Sequence, residues 1–363
     1  MTTTPAILLL QDGTVFEGFA CGKIGTSSGE ICFNTSMTGY QELFTDPSYY
    51  GQLLVATNVH VGNYGVKESE EESGRVQIFG LICREFMPTF SRKQAAGNLQ
   101  DYFTENNVVG ISGIDTRAVV RHVREKGAMN AIISSENTDI EWLKAELKKT
   151  PDMEGLELSS KVTTAAPYTV GDEQAKYKIA VLDFGIKRSM LHNFVSRDCF
   201  VKVFPARTSF EELAAFQPDG YFISNGPGDP GAMDYAVATV QQILATDKPL
   251  FGICLSNQLL ARAVGIPTYK LHHGHRGSNQ PVKNLKTGKG EMTTQNHGFA
   301  VDMEVLKKSD KAQMTHVNLN DNTVEGLEII GKKAFSVQYH PEAAPGPHDS
   351  RYLFDQFLDL MKG

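Results

Sequence analysis

The sequence predicts a two-domain α/β protein: a C-terminal domain on a mostly parallel central sheet, and a smaller N-terminal domain of mixed α/β character. Three observations carry this. Beyond about residue 178 short apolar strands alternate with helical patterns, the signature of parallel strands joined by crossover helices. The stretch Phe251–Gly265, FGICLSNQLLARAVG, reads as an apolar strand too short and too tightly bounded for a helix. Cys254 follows it, and then Leu255, Leu259, Leu260, Ala263 and Val264 fall at helical spacing. Finally, 363 residues are long for a single core. Residues 151–177 dissolve into Ser, Thr, Gly, Pro and charge. They read as a linker between a domain at 1–150 and one at 178–363.

Composition narrows the function classes. Hydrophobic content of 41% and charged content of 21% are ordinary for a globular chain. A formal net charge of −7 argues against a nucleic-acid binder, which usually carries a basic face. No run of about 18 apolar residues is present, so no membrane-spanning helix is expected. Ile7–Leu10 is apolar but lacks a basic segment before it and runs into a turn at Gln11–Gly13, so it reads as an opening strand and not a signal peptide. Five scattered cysteines, odd in number and without a C-x-x-C pair, fit a reducing compartment, so a cytoplasmic location is expected.

Taken in order, Ala6–Leu10 and Val15–Phe19 form a hairpin about the turn at Asp12 and Gly13. Glu30–Asn34 is a strand and Thr35–Gly51 an ordered loop; Gln52–Asn58 is another strand. Arg92–Phe103 reads as a helix, and Gly110–Gly113 as a turn. Asp115 suits the N-cap of a helix through Val123, and Asp139–Lys149 is an amphipathic helix stopped by Pro151. In the second half, Lys178–Asp183, Val201–Pro205 and Gly220–Ser224 are strands. Ile186–Ser196, Phe210–Phe216 and Tyr235–Ala245 are the helices between and after them. Residues 265–290 read as irregular. Gly290–Asp302, Thr323–Ile330 and Ala334–Tyr339 are strands, and Arg351–Lys362 closes as a helix.

The chemistry centres on Cys254. A small residue two before and two after a nucleophile, at a strand-to-helix turn, is the pattern of a nucleophile elbow. It lifts the thiol to a helix N-terminus, where the dipole favours thiolate and free N–H groups can receive an oxyanion. A buried structural cysteine at a strand end has the same local pattern. A cysteine nucleophile needs a base and a group that orients the base. His340, in SVQYHPEAAPGP, follows an apolar strand, and Glu342 two residues on faces the same side of an extended segment. Strand C-termini share one edge of a parallel sheet, which places Cys254 and His340 together. His272, His273 and His275 lack the spacing of familiar zinc sites, so no metal site is expected. His297 reads as structural or substrate-proximal. No Walker loop or G-x-G-x-x-G fingerprint argues for ATP or a dinucleotide on this chain.

The order SNGPGDP, GICLSNQ, QNHGFAVD and QYHPEAAPGPHD resembles a class I glutamine amidotransferase domain. The upstream segments FNTSMTGYQELFTDPSY, HVGNYG and ISGIDTRAVVRHVR resemble the small-subunit family of carbamoyl phosphate synthetase, and the likeness covers essentially the whole chain. This resemblance implies a class I amidotransferase fold in the C-terminal domain. It implies Cys254 as nucleophile, His340 as base and Glu342 as its partner. It further implies glutamine held by Ser48, Gly226, Gly228, Leu255, Gln258, Asn296, Gly298 and Phe299, with the Leu255 N–H on the oxyanion. The implied partner is a large subunit that uses ATP, magnesium and bicarbonate and receives ammonia to make carbamoyl phosphate for arginine and pyrimidine synthesis. No cofactor is implied on this chain.

One departure stands out. The resembled pattern has glycine where this chain has Ser256, and often histidine where it has Asn257. An added Cβ and hydroxyl at a tight elbow can displace the nucleophile, and about 1 Å of misplacement can lower a rate on the order of a hundredfold. Two rival functions are therefore weighed: a catalytically impaired scaffold subunit, and a stand-alone cysteine hydrolase acting on another γ-glutamyl compound. The second leaves the first 150 residues without a role.

Overall fold

The computed structural model describes residues 4–362. Its contacts fall into two units, one ending at Leu156 and taking in His272–Gly274, the other beginning at Glu157 and holding the rest. The first unit contains strands β1 (Pro5–Leu10), β2 (Val15–Gly22), β3 (Thr26–Asn34), β4 (Gln52–Ala56), β5 (His60–Val61), β6 (Gly80–Ile82), β7 (Glu85–Phe86), β8 (Val109–Ser112) and β9 (Asn130–Ser134). Seven of them close into a barrel in the order β1-β2-β8-β6-β4-β3-β9, with β1 pairing β9 to complete the ring. Strand alternation sorts the apolar residues. Leu8, Leu10, Ile31, Phe33, Ala131 and Ile133 share one cluster, whereas Ile7, Leu9 and Ile132 pack on Leu143 and Leu147. The helices are α1 (Tyr40–Thr45), α2 (Leu99–Glu105), α3 (Thr116–Lys126) and α4 (Ile140–Leu147). Asp115 caps α3 by accepting from the Ala118 N–H.

Several local expectations are corrected here. Helix α2 starts at Leu99, not Arg92, because Asn98 caps it by accepting from the Asp101 N–H. The loop at 35–51 contains α1 and a 3-10 turn at Pro47–Tyr49. Residues expected to turn at 110–113 instead form β8, where barrel pairing overrides the local glycine signal.

The second unit follows the strand–helix alternation read from the sequence. It contains β10 (Tyr168–Val170), β11 (Tyr177–Asp183), α5 (Arg188–Val195), β12 (Cys199–Pro205), α6 (Phe210–Ala215), β13 (Gly220–Ile223), α7 (Asp234–Ala245), β14 (Leu250–Ile253) and α8 (Leu255–Ala263). After these come β15 (Thr268–Asn284), β16 (Gly290–Val301), α9 (Met303–Lys307), β17 (Ala312–Asn318), β18 (Val324–Ile329), β19 (Ala334–Val337) and α10 (Tyr352–Met361). Among the described residues the strands form one ten-stranded sheet, in the order β10-β12-β11-β13-β14-β19-β18-β17-β15-β16. Its centre, β12 to β19, is parallel, and both flanks are antiparallel. Apolar residues of α7 and α8 cover one face, and those of α5 and α10 the other. No helix of the described residues is long and apolar enough to cross a membrane.

Two stretches differ from their sequence reading. Residues 265–290, read as irregular, include the long strand β15, whose glycines fall where its register against β16 shifts. Of residues 151–177, read as a linker, those from Glu157 onward are built into the second unit. β10 pairs antiparallel with β12, the Thr163 hydroxyl donates to Asp183 O at 2.7 Å, and Ser159 Oγ donates to Pro227 O at 3.2 Å.

At the crossing of β14 and α8, a Cβ on Gly252 would lie 2.8 Å from the Ser256 Cβ and 3.4 Å from the Ser336 Cβ. The helix can sit this close only because residue 252 has no side chain. Gly252→Ala should therefore destabilise the fold by about 1–3 kcal/mol through overpacking. Adding Ser256→Gly should recover part of the loss, since it removes the atom that clashes. Urea denaturation of the two single variants and the double variant tests this; strictly additive losses would show that the contact is not the cause.

Candidate active site

The central parallel strand β14 ends at Ile253, and the next residue, Cys254, has φ 59° and ψ −106°. A non-glycine residue in such a conformation costs on the order of 1–3 kcal/mol and persists only where its surroundings hold it. Here the Cys254 N–H donates to Val337 O of β19 at 2.8 Å, and the Asn257 N–H donates to Cys254 O at 2.9 Å. Cys254 is itself the N-cap of α8, with no side chain capping that end. A helix end left uncapped by side chains is one that can receive an oxygen ligand. The thiol is buried, and its Sγ donates weakly to Asn296 O at 3.5 Å.

His340 arrives from the end of β19, the strand next to β14. Its backbone N–H donates to Thr294 O at 2.8 Å, which fixes the chain beside β16. Its Nδ1 lies 2.7 Å from Glu342 Oε1. A carboxylate can only accept, so Nδ1 carries the proton and Nε2 is turned to other chemistry. Nε2 makes no standard hydrogen bond, and the Cys254 sulfur is the next group acting on the ring. Burial opposes charge on this imidazole, yet the Glu342 carboxylate and the Cys254 sulfur outweigh it and raise the group to about 10.

Glu342 is fully buried and has a second partner that sequence reasoning missed. Lys187 Nζ donates to the same Oε1 at 2.9 Å and to Ala344 O at 3.1 Å, with both side chains shielded from solvent. Burial works against the carboxylate, but the Lys187 and His340 charges prevail and hold it down to about 2. Lys187 precedes α5, just beyond the C-terminal end of β11, the same sheet edge that presents Cys254 and His340. A charged residue just past an apolar parallel strand was the available signal.

The remaining candidates divide. Gly226 packs so closely that a Cβ would fall 2.3 Å from Phe184 O, and Gly228 has φ +95°, so both positions favour glycine. Gln258 Nε2 donates to Phe299 O at 2.9 Å and to Gln338 Oε1 at 3.1 Å, joining α8 to the end of β16. Asn296, Gly298 and Phe299 all lie on β16, and Asn296 meets the Cys254 sulfur through its carbonyl. Leu255 opens α8 and is buried. Ser48 belongs to the first unit, buried in the 3-10 turn with its N–H donating to Asp46 Oδ1 at 2.9 Å.

Ser256 does not crowd the elbow. Its hydroxyl donates to Ser224 O at 2.6 Å, tying α8 to the end of β13, where the Asn225–Gly231 loop begins. Asn257 is equally well placed, accepting from Ser336 Oγ at 3.0 Å. The three grouped histidines part company. His272 and His273 go with the first unit, whereas His275 lies against His297 and Glu325. The arrangement as a whole, a thiol at a strained turn beside an imidazole braced by a buried ion pair, is suited to acyl transfer through a thioester.

Comparison with known proteins shows the family. Residues 8–133 match the family model of the carbamoyl-phosphate synthase small chain, CPSase domain, and residues 180–360 match that of glutamine amidotransferase class-I. A carbamoyl phosphate synthase small chain from Syntrophotalea carbinolica is 50% identical, covering 98% of each chain. The corresponding protein of Chlorobaculum tepidum is 48% identical over 100% of this chain and 99% of its own. That of Streptomyces coelicolor is 48% identical over 99% and 97%. The chain belongs to the carbamoyl phosphate synthase small-chain family, the glutamine amidotransferase component of a glutamine-hydrolysing enzyme.

Proposed function

We propose that this chain hydrolyses L-glutamine to glutamate and ammonia through a thioester on Cys254. The observation that carries the proposal is the Cys254–His340–Glu342–Lys187 array at the C-terminal edge of the parallel strands. The sulfur attacks the side-chain amide carbon, and the oxyanion is received by the Leu255 N–H and an N–H of the Gly226–Gly228 loop. His340 delivers a proton to the departing ammonia. Water then attacks the thioester with His340 as base, releasing glutamate and restoring the thiol. Glu342 keeps the proton on Nδ1 and stabilises the imidazolium, while Lys187 keeps Glu342 ionised in a dry site. Gln258, Asn296, Gly298, Phe299 and Ser48 are assigned to holding glutamine. The chain works with a large subunit, in the cytoplasm. That partner binds ATP and magnesium and uses the ammonia, delivered through a protected path, to make carbamoyl phosphate for arginine and pyrimidine synthesis. The deciding experiment is acid quenching of the chain with radiolabelled glutamine, with and without the large subunit, and mapping of the labelled peptide. Label on the Cys254 peptide is expected. No label and no glutamate, even with the partner bound, would favour a scaffold role.

Cys254→Ser should lower glutamine hydrolysis by at least about a thousandfold while sparing synthesis from free ammonia. Equal loss of both would refute the assigned role. Glu342→Gln should reduce hydrolysis less than His340→Asn, because an orienting group is lost and the base is kept. Steady-state assays of both variants give the ranking, and the reverse order would sink it.

The pH dependence of stability follows from the same pair. Glu342 has its folded value held below the ordinary 4.5, so its contribution is present above 4.5 and disappears as pH falls toward about 2. His340 is raised above the ordinary 6.5, so its contribution is complete below 6.5 and is lost as pH rises through about 10. Denaturation between pH 2 and 10 should give a falling stability at both ends. Glu342→Gln should flatten the acid arm and bring the His340 ionisation, followed by NMR, well below 10.

A further inference from the structure

His275, His297 and Glu325 meet inside the second unit, and the arithmetic of their protons does not close. His275 and His297 are register partners on β15 and β16, with ring centroids 4.9 Å apart. His297 Nδ1 lies 2.8 Å from Phe299 O, a carbonyl that can only accept, so Nδ1 carries the proton. Its Nε2 then turns a lone pair toward Gln295 Oε1 at 3.2 Å and Glu325 Oε1 at 4.0 Å. Rotating the Gln295 amide would give His297 Nε2 a donor, but it would turn Oε1 toward Thr293 Oγ1, whose own proton goes to Gln280 O. His275 has Nε2 at 2.8 Å from Asp321 Oδ2, and that carboxylate is fixed by the Thr323 N–H and hydroxyl. His275 Nδ1 is left without a hydrogen-bond partner, 3.5 Å from Glu325 Oε1. Glu325 is wholly buried; Asn318 donates to its Oε1, and its Oε2 has no partner.

Protons alone resolve this poorly. With a second proton, His275 would still meet Glu325 only at 3.5 Å, and His297 Nε2 would still face Gln295 Oε1 and Glu325 Oε1. A divalent cation answers every lone pair at once.

We propose that His275 Nδ1, His297 Nε2 and the Glu325 carboxylate, with Gln295 Oε1 as a fourth ligand, form a structural site for a zinc-class divalent ion. Ligand atoms of the first three lie within 4.8 Å of one another, the group of this kind found among the described residues. Bonds of about 2.0–2.2 Å around a tetrahedral ion bring such atoms to roughly 3.4 Å, so loading draws them together by about 1 Å. Imidazole nitrogens mixed with oxygen ligands suit zinc better than magnesium or calcium. The outer contacts match the requirement that ligating histidines give their second N–H to an acceptor: Asp321 for His275, Phe299 O for His297. All four ligand residues are more than nine-tenths buried, so no open coordination position faces solvent and the ion is structural. It would clamp β15 and β16 to β18 beneath Asn296, whose carbonyl meets the Cys254 sulfur.

The test uses the full chain carrying Cys254→Ser, which removes the sulfur beside His340 as a competitor for soft metals. After dialysis against a chelator it is titrated with cobalt(II), then zinc(II). The expected result is one equivalent of cobalt with visible bands of a tetrahedral N/O site, displaced by zinc, and a higher melting temperature. His275→Ala should abolish the bands. Should that variant fail to fold, Asp321→Asn, at a partly exposed position, should weaken binding about 10–100-fold by freeing the His275 ring. Absence of tetrahedral bands at one equivalent, or bands unchanged in Asp321→Asn and Glu325→Gln, would overturn the site.

Discussion

One buried carboxylate organises the candidate active site. Glu342 accepts from His340 and Lys187 through the same oxygen, and Lys187 also reaches the carbonyl of Ala344. Three chain segments, the end of β11, the end of β19 and the turn after it, are thereby tied around one negative charge. An isolated buried carboxylate would give up its charge, since desolvation disfavours the ionised form. The lysine prevents that, and the histidine keeps a fixed tautomer as a result. The imidazole beside Cys254 thus has its orientation set from behind, by groups that no solvent reaches.

The nucleophile is placed by a different means, close packing. Gly252 lets α8 lie against β14, Val337 O holds the Cys254 N–H, and Ser256 spans from the helix to Ser224. A serine where the resembled pattern has glycine becomes a tether in this setting. The space that it fills is the space left by the absent side chain of Gly252. The same hydrogen bond fixes the carbonyl just before the Asn225–Gly231 loop. The turn carrying the sulfur and the loop assigned to the oxyanion therefore share one anchor.

Much of this was legible in the sequence because apolar periodicity and strand ends are local signals. The alternation after residue 178 gave the strands and helices of the parallel core, and the elbow and His340 lay at strand ends as expected. The barrel was not legible, since its closure depends on β1 meeting β9 across more than a hundred residues. β8 and β15 were misread because glycines that punctuate a chain locally can also sit in strands held by pairing partners on both sides. Lys187 was passed over because an isolated lysine is nearly always a solvated one. The pairing of His275 with His297 was hidden by the more obvious sequence grouping with His272 and His273.

The segment at 157–170 changes where the second unit must be cut if it is to be studied by itself. β10 covers the outer edge of β12, Glu157 bridges Gly228 and accepts from the Tyr235 hydroxyl, and Thr163 and Thr164 hold Asp183. A fragment begun at residue 178, where the strand–helix alternation first becomes visible, would bare the backbone of β12 as a sticky edge open to another chain. It would also release both the Gly228 loop and the turn before Lys187. A fragment begun at Glu157 keeps its own edge guard, and with it the loops that frame the thiol.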